Sequence, residues 1–333
     1  MKKMIALVLT FAMTVSLTAC GTSRNTSEPA ASKTMEQTEY TPPKTLTMIV
    51  PYAAGGAVDL GARLLAKYAA KYTTADIVIN NVAGGSGTIG PAEMLKYKAD
   101  GTYMCAMNPS TSYVSTPDKV LSYDYMEDFT RVALIMQDQR VIAVPKNNGL
   151  YETLEEFIAY AKEHPGNITI GCSGTMNDAY FTPYLLNKEA DIDLNIVAYD
   201  GGADAKTDLL GGHINAISVS YSEALPMMQN DQVIILCTAG TERFEELPDM
   251  PTLMEKGYNV TFTTNRGYVM KAGTAPEVIA YWSDVIGKVC ADEEFLAEAK
   301  DMGFPIKYYN HEDFDVLAGE VMTTYKEILA GME

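Results

Sequence analysis

The stretch LTMIV-PYAAGGA-VDLGARLLAKYAAKY, Leu46 to Tyr72, changes its hydrophobic period once, and that change sets the fold class. Leu46 to Val50 is a short apolar run suited to a buried strand. Pro51 to Ala57 carries the pair Gly55-Gly56, which lets the backbone turn sharply. From Val58 onward Leu64, Leu65, Tyr68, Ala69 and Tyr72 fall on one helical face. Working outward, the same strand–loop–helix alternation recurs. Strands are predicted at Asp76–Asn80, Tyr103–Met107, Val132–Ile135, Val141–Val144, Ile168–Cys172, Leu194–Ala198, Ala216–Val219 and Val233–Cys237. Helices are predicted at Pro91–Tyr97, Leu154–His164, Tyr180–Ala190, Ala203–Leu210, Tyr221–Gln229, Pro276–Cys290, Glu293–Met302 and His311–Leu329. Strands alternating with helices imply an α/β chain with mostly parallel sheets.

The N-terminus reads as an address. Lys2 and Lys3 precede an apolar run from Ile5 to Leu17, shorter than the roughly 20 residues that span a bilayer. The run suits a secretory signal, residues 1–19. Leu17-Thr18-Ala19-Cys20 resembles a bacterial lipobox, with Cys20 as the lipidated residue. Residues 20–44, rich in Ser, Thr, Glu, Pro and Ala, read as a flexible tether. The expected location is extracytoplasmic, anchored by lipid to the outer face of a membrane.

Composition narrows the function. The 333 residues hold 25 Lys and Arg against 43 Asp and Glu, a formal charge of −18. Such a surface repels phosphate backbones, so no nucleic-acid partner is expected. Three His and five scattered Cys, with no CxxC, give no metal site and no cofactor. Cys105, Cys172 and Cys237 lie in apolar runs and read as buried packing residues, although the sequence leaves a disulfide open.

In α/β sheets ligands sit outside the carboxyl ends of the strands, which directs attention to the loops there. The first holds Tyr52, Ala53, Gly55 and Gly56. Its amides, with the helix N-terminus behind them, suit a carboxylate. Asp59 is expected to cap that helix and to pair with Arg63 four residues on. The second loop holds Gly85, Ser86 and Gly87. Gly85, Gly87 and Gly90 fit GxGxxG, but the first strand of the mature chain is followed by Gly55-Gly56 instead, so an amide cradle is favoured over a dinucleotide site. Further strand-end loops offer Ser110 and Thr111, then Ser173, Gly174 and Thr175. Ser173 does not sit in a GxSxG elbow, and His164, His213 and His311 are not placed as base partners. Donor loops without a nucleophile–base pair point to binding rather than to catalysis.

In order along the chain, Met48-Ile49-Val50-Pro51-Tyr52-Ala53-Ala54-Gly55-Gly56-Ala57-Val58-Asp59, Asn81…Gly84–Gly90, Ala99–Tyr103, Thr207–Ile214, Leu247–Leu253 and Gly267–Thr274 resemble the motifs of the extracytoplasmic solute receptors of tripartite tricarboxylate transporters, the TctC or Bug family. The resemblance implies a type II periplasmic-binding fold: two α/β lobes with a ligand cleft between them, joined by strands crossing near Val144 and Ala239. Lobe 1 would be residues 45–143 with 240–333, and lobe 2 residues 144–239. It implies a monomeric, non-enzymatic receptor for a small carboxylate, partnered by membrane permease subunits. Asp200, where the family pattern often has Lys, would repel a second carboxylate or attract an ammonium group if it faces the cleft. Arg266 is a candidate fork for a carboxylate, with an ion pair as its alternative. An exported hydrolase-like enzyme and a ligand sensor for a membrane signalling partner are the competing readings.

Overall fold

The computed structural model describes residues 40–332 except 111–112, 117–119 and 200–201. The lipobox Cys20, Thr111 and Asp200 therefore lie outside the described residues, as does nearly all of the tether.

The chain runs β1 (Thr45–Val50), α1 (Ala57–Ala69), β2 (Asp76–Asn81), α2 (Ile89–Met94), β3 (Tyr103–Ala106) and β4 (Phe129–Pro145), then α3 (Leu154–Glu163), β5 (Thr169–Ser173), α4 (Asp178–Ala190), β6 (Asn195–Tyr199), α5 (Gly202–Leu210), β7 (Ala216–Ser220), α6 (Tyr221–Gln229) and β8 (Val233–Thr238). It closes with β9 (Thr263–Lys271), α7 (Pro276–Cys290), α8 (Glu293–Asp301), β10 (Ile306–Tyr309) and α9 (His311–Ala330). The helices follow the apolar periodicity closely. On α1 the buried residues include Leu64, Leu65, Tyr68 and Ala69, the face read from the sequence.

Two sheets share one long strand. In the first lobe β2, β1 and β3 run parallel, β9 adds antiparallel to β3, and β4 lies between β9 and β10. In the second, β6, β5 and β7 run parallel, and β4 lies antiparallel between β7 and β8. β4 is one strand of 17 residues where the sequence suggested two. It pairs with β9 up to Gln139↔Thr263 and with β7 from Arg140↔Ser220, so it changes sheets between Gln139 and Arg140, ahead of the expected Val144. The polar block Gln137-Asp138-Gln139-Arg140 reads as a strand break. In fact it is the stretch where β4 leaves one apolar core and has not yet entered the next. The chain also crosses at Ala239 and Phe262, whose amides and carbonyls bond each other and Arg140.

The expectation of mostly parallel sheets is thus corrected. The wings are parallel, but the crossing strands β4 and β9 pair antiparallel. β9 and β10 were not read as strands at all, because Thr263–Lys271 alternates poorly and Gly267 interrupts it. That glycine is required by packing: a Cβ there would come 2.5 Å from the Phe314 ring and 3.0 Å from the Ala133 carbonyl. Only a bare backbone lets α9 lie against β9.

A core around Met48, Leu65, Met104, Val132, Trp282 and Phe295 fills the first lobe beneath α1, α7 and α8. A second, around Val141, Ile217, Val219, Leu209 and Phe244, fills one face of the second lobe. Cys105, Cys172, Cys237 and Cys290 are free and buried, which settles the disulfide question for the described residues.

Candidate functional site

The first loop folds as a self-contained turn. Gly56 is the N-cap of α1, not Asp59 as the sequence suggested. Asp59 sits in the first helical turn, 1% exposed, and its carboxylate reaches back. It accepts from the Gly55 amide at 2.8 Å, the Arg63 Nε at 2.9 Å and the Asn81 side-chain amide at 2.9 Å. Burial opposes ionisation of Asp59, but these donors together outweigh it and hold the carboxyl below its usual range. Asn81 also donates to the Tyr52 carbonyl at 3.1 Å, tying the second loop to the first.

This arrangement uses several amides that the sequence reading had assigned to a ligand. Gly55 donates to Asp59. Gly56 donates to the Ala53 carbonyl, Gly87 to Gly84 and Gly174 to Tyr199. Ala53, Gly55, Gly56, Gly85 and Thr175 are exposed at the rim. Ser86 occupies the 3-10 turn between Gly85 and Gly87. Ser110, in the loop after β3, is buried. Asn177 caps α4 and donates to the Ser173 carbonyl at 2.7 Å, so this loop too is braced internally.

The centre is held by side chains. Tyr52 lies against Gly87, where a Cβ would meet its hydroxyl at 2.6 Å. Burial raises the Tyr52 phenol, and Asp178 of the second lobe and Arg266 are close enough to act on its charge. The Tyr113 hydroxyl is buried beside it without reaching hydrogen-bond geometry. Below them the crossing strands present Asp138 and Arg140 from β4 and Thr264 and Arg266 from β9. Residues two apart on a strand share a face.

Arg266, 9% exposed, donates from Nη1 to Asp138 at 3.0 Å, and Asp138 is fully buried. Both the amide and the hydroxyl of Ser222, on α6, also bond Asp138. Arg266 is therefore in an ion pair, and a buried one, at the cleft floor. Arg140 donates from Nη2 to the Ser218 carbonyl at 2.8 Å. Its Nη1 stands 3.9 Å from Asp178 and 3.9 Å from Glu223, while its Nε is buried without a partner. Asp178 accepts from the Thr264 hydroxyl, and Glu223 accepts from the amide and hydroxyl of Ser220 at 3.2 and 3.0 Å. Burial opposes ionisation of Glu223, but Arg140 and Arg266 prevail and the carboxyl is lowered.

Of the residues named from sequence, the structure brings Tyr52, Gly87 and Arg266 to one place and leaves the exposed loop residues at the rim. It adds Asp138, Arg140, Asp178, Glu223, Thr264 and Tyr113, which sequence reasoning missed. The available signal was Asp138 and Arg140 at i, i+2 inside an otherwise apolar strand.

A cavity of about 10 Å³ lies between the start of α1, Asn108 and Arg266, room for a single water. A far larger groove of about 760 Å³ is lined by Gln137, Gln139, Thr263 and Asn265 with residues of α9. Those four alternate with the charged set, so the groove opens on the opposite face of the crossing strands. We place the candidate site on the charged face, where the loops after β1, β2, β5 and β7 converge. Among the described residues no cluster of His, Cys, Asp and Glu could hold a metal ion.

Comparison with known proteins adds the following. The family model "Tripartite tricarboxylate transporter family receptor" matches residues 61–333, beginning just past the Tyr52–Asp59 motif. A Cupriavidus necator relative, the UPF0065 protein in the gbd 5′ region, is 25% identical over 300 residues, 90% of this chain and 91% of that one. A solved TctC solute-binding protein from Polaromonas is 26% identical, covering 87% of this chain and 99% of its own at a TM-score of 0.73. MatC from Rhodopseudomonas palustris, solved with bound malate, is 22% identical and shares the fold over 85% of this chain and 98% of its own at a TM-score of 0.72.

Proposed function

The chain belongs to the TctC family of tripartite tricarboxylate transporter receptors, and we propose that it works outside the cytoplasmic membrane, tethered by a lipid on Cys20, capturing a small carboxylate between its lobes for delivery to membrane permease subunits. The family is one of solute receptors, not of enzymes. The observation that carries the ligand class is the Arg140 guanidinium. It is 3% exposed, sits where the lobes meet, and keeps a buried N–H without an acceptor. A buried charged donor left unpaired is costly, and a carboxylate oxygen is the acceptor that suits it. The malate bound by MatC is of that class. The overall charge of −18 does not forbid an anion, because local guanidinium and amide dipoles set the potential inside a closed cleft.

A thermal-shift screen over mono-, di- and tricarboxylates and amino acids tests this reading. A solute at 100 times its dissociation constant stabilises the receptor by about 2.7 kcal/mol. Flat melting curves with every acid in the screen would count against solute capture. Globomycin-sensitive acylation, absent after Cys20→Ser, tests the anchor separately.

A further inference from the structure

The charges at the cleft floor do not balance, and the imbalance has a direction. Asp138 and Arg266 satisfy each other at 3.0 Å, and Ser222 completes that pair. What remains is Arg140, whose Nη1 donates to the Thr264 hydroxyl at 3.4 Å and makes only long ion pairs with two carboxylates, Asp178 and Glu223. Both stand 3.9 Å away, each held by its own hydroxyl partner: Thr264 for Asp178, Ser220 for Glu223. Each of these carboxylates keeps one oxygen, Asp178 Oδ1 and Glu223 Oε1, for which the described residues provide no hydrogen bond. Arg140, although 3% exposed, keeps its Nε unpartnered.

We propose that the captured solute carries an ammonium group beside its carboxylate, with Asp178 and Glu223 holding the ammonium and Arg140 the carboxylate. The inference rests on the receptor reading above and narrows its ligand class. A dicarboxylate would bring two negative charges to a floor that is already one charge negative after the Asp138–Arg266 pair is set aside. A zwitterion brings none in net and answers both sets of open groups. Asp178 belongs to α4 and Glu223 to α6, both second-lobe helices, whereas Tyr52 and Arg266 come from the first lobe. Both carboxylates and Arg140 lie on the second-lobe side of the β4 crossing, so this lobe supplies the contacts that select the solute.

The test is calorimetric titration of the mature chain with pairs of solutes that differ only by the amino group: L-alanine and propanoate, L-leucine and 4-methylpentanoate, L-glutamate and glutarate. The expected result is that at least one amino acid binds and its partner acid is weaker by about thirtyfold or more. Asp178→Asn and Glu223→Gln are each expected to shrink that ratio by about tenfold, because they remove the charge that favours ammonium over hydrogen. Urea midpoints confirm that the variants fold. Should Asp178→Asn unfold, Glu223→Gln alone decides. If partner acids bind as tightly as the amino acids, or more so, the ammonium assignment falls while the carboxylate receptor stands. If no member of either series binds at about 1 mM, the ammonium assignment falls, and the thermal-shift screen decides the receptor reading separately.

Discussion

Asp59 does structural work that its position in the loop motif does not advertise. One buried carboxylate fixes an amide, a guanidinium and a side-chain amide, and so sets the shape of the loop that carries Tyr52. Asp59→Ala leaves those donors without an acceptor and is expected to cost about 1–3 kcal/mol in urea unfolding. A loss under about 0.5 kcal/mol would show that the loop holds its shape without it. Gly87 makes a second residue-scale case. Its φ of +88° belongs to the left-handed region, and a Cβ would meet the Tyr52 hydroxyl at 2.6 Å. Gly87→Ala is expected to destabilise by about 1–3 kcal/mol. Pairing it with Tyr52→Ala separates the causes, since the double variant relieves the collision and keeps the backbone strain. Strict additivity of the two changes would remove Tyr52 from contact with Gly87. The residues that sequence reasoning found here, Tyr52 and Arg266, sit in short motifs. Those it missed, Asp138, Arg140, Asp178 and Glu223, come from three distant elements, β4, α4 and α6, and become neighbours only through the crossing of β4.

Elements were legible to the extent that one face of each is buried. α1 and α7 show a helical stripe because a single core lies beneath them. β4 and β9 hid because they leave one core for another, and the polar residues at the passage erase the alternation that marks a strand. The seam between α1 and α8 is of another kind, held at its edge by charge. Lys71 lies 2.9 Å from Asp292 and 2.8 Å from Glu294, and the Tyr72 hydroxyl donates to Asp292 at 2.8 Å. Lys71, then Tyr72, pull the Asp292 carboxyl down to about 2. A depressed carboxyl contributes stability that is complete above the ordinary range near 4 and disappears as pH falls towards 2. Carbon-detected NMR titration should find Asp292 among the most acidic carboxyls, and Lys71→Met should return it towards 4. A midpoint near 4 in the unaltered chain would mean that the seam is open in solution.

For the molecule as a whole, a floor whose Arg140 is 3% exposed and whose Arg266 is 9% exposed cannot admit a solute unless the lobes part. Their parting has a built-in reporter in Cys172. It lies one residue before the end of β5 beside the candidate site, fully buried, with its thiol donating to the Gly174 carbonyl at 3.4 Å and Arg140 and Asp178 close by. Burial raises it to about 11, so it reacts only in a form of the protein that lets water in. Cys237 and Cys290 are buried as well and raised to about 12, but Cys237 lies on β8, beside β4, and Cys290 at the end of α7, within lobes rather than between them. In a Cys20→Ser, Cys105→Ala chain, which keeps three of the four buried thiols, maleimide labelling is therefore expected to reach Cys172 before Cys237 and Cys290. A saturating solute from the thermal-shift screen should slow Cys172 by at least about fivefold and leave the other two unchanged. Equal rates at all three thiols, unaffected by solute, would show that labelling reports global unfolding and that the crossing strands at Gln139–Arg140 do not act as a hinge. Selective protection of Cys172 would instead tie solute binding to closure over the Arg140 floor, since no other free thiol lies beside that guanidinium among the described residues.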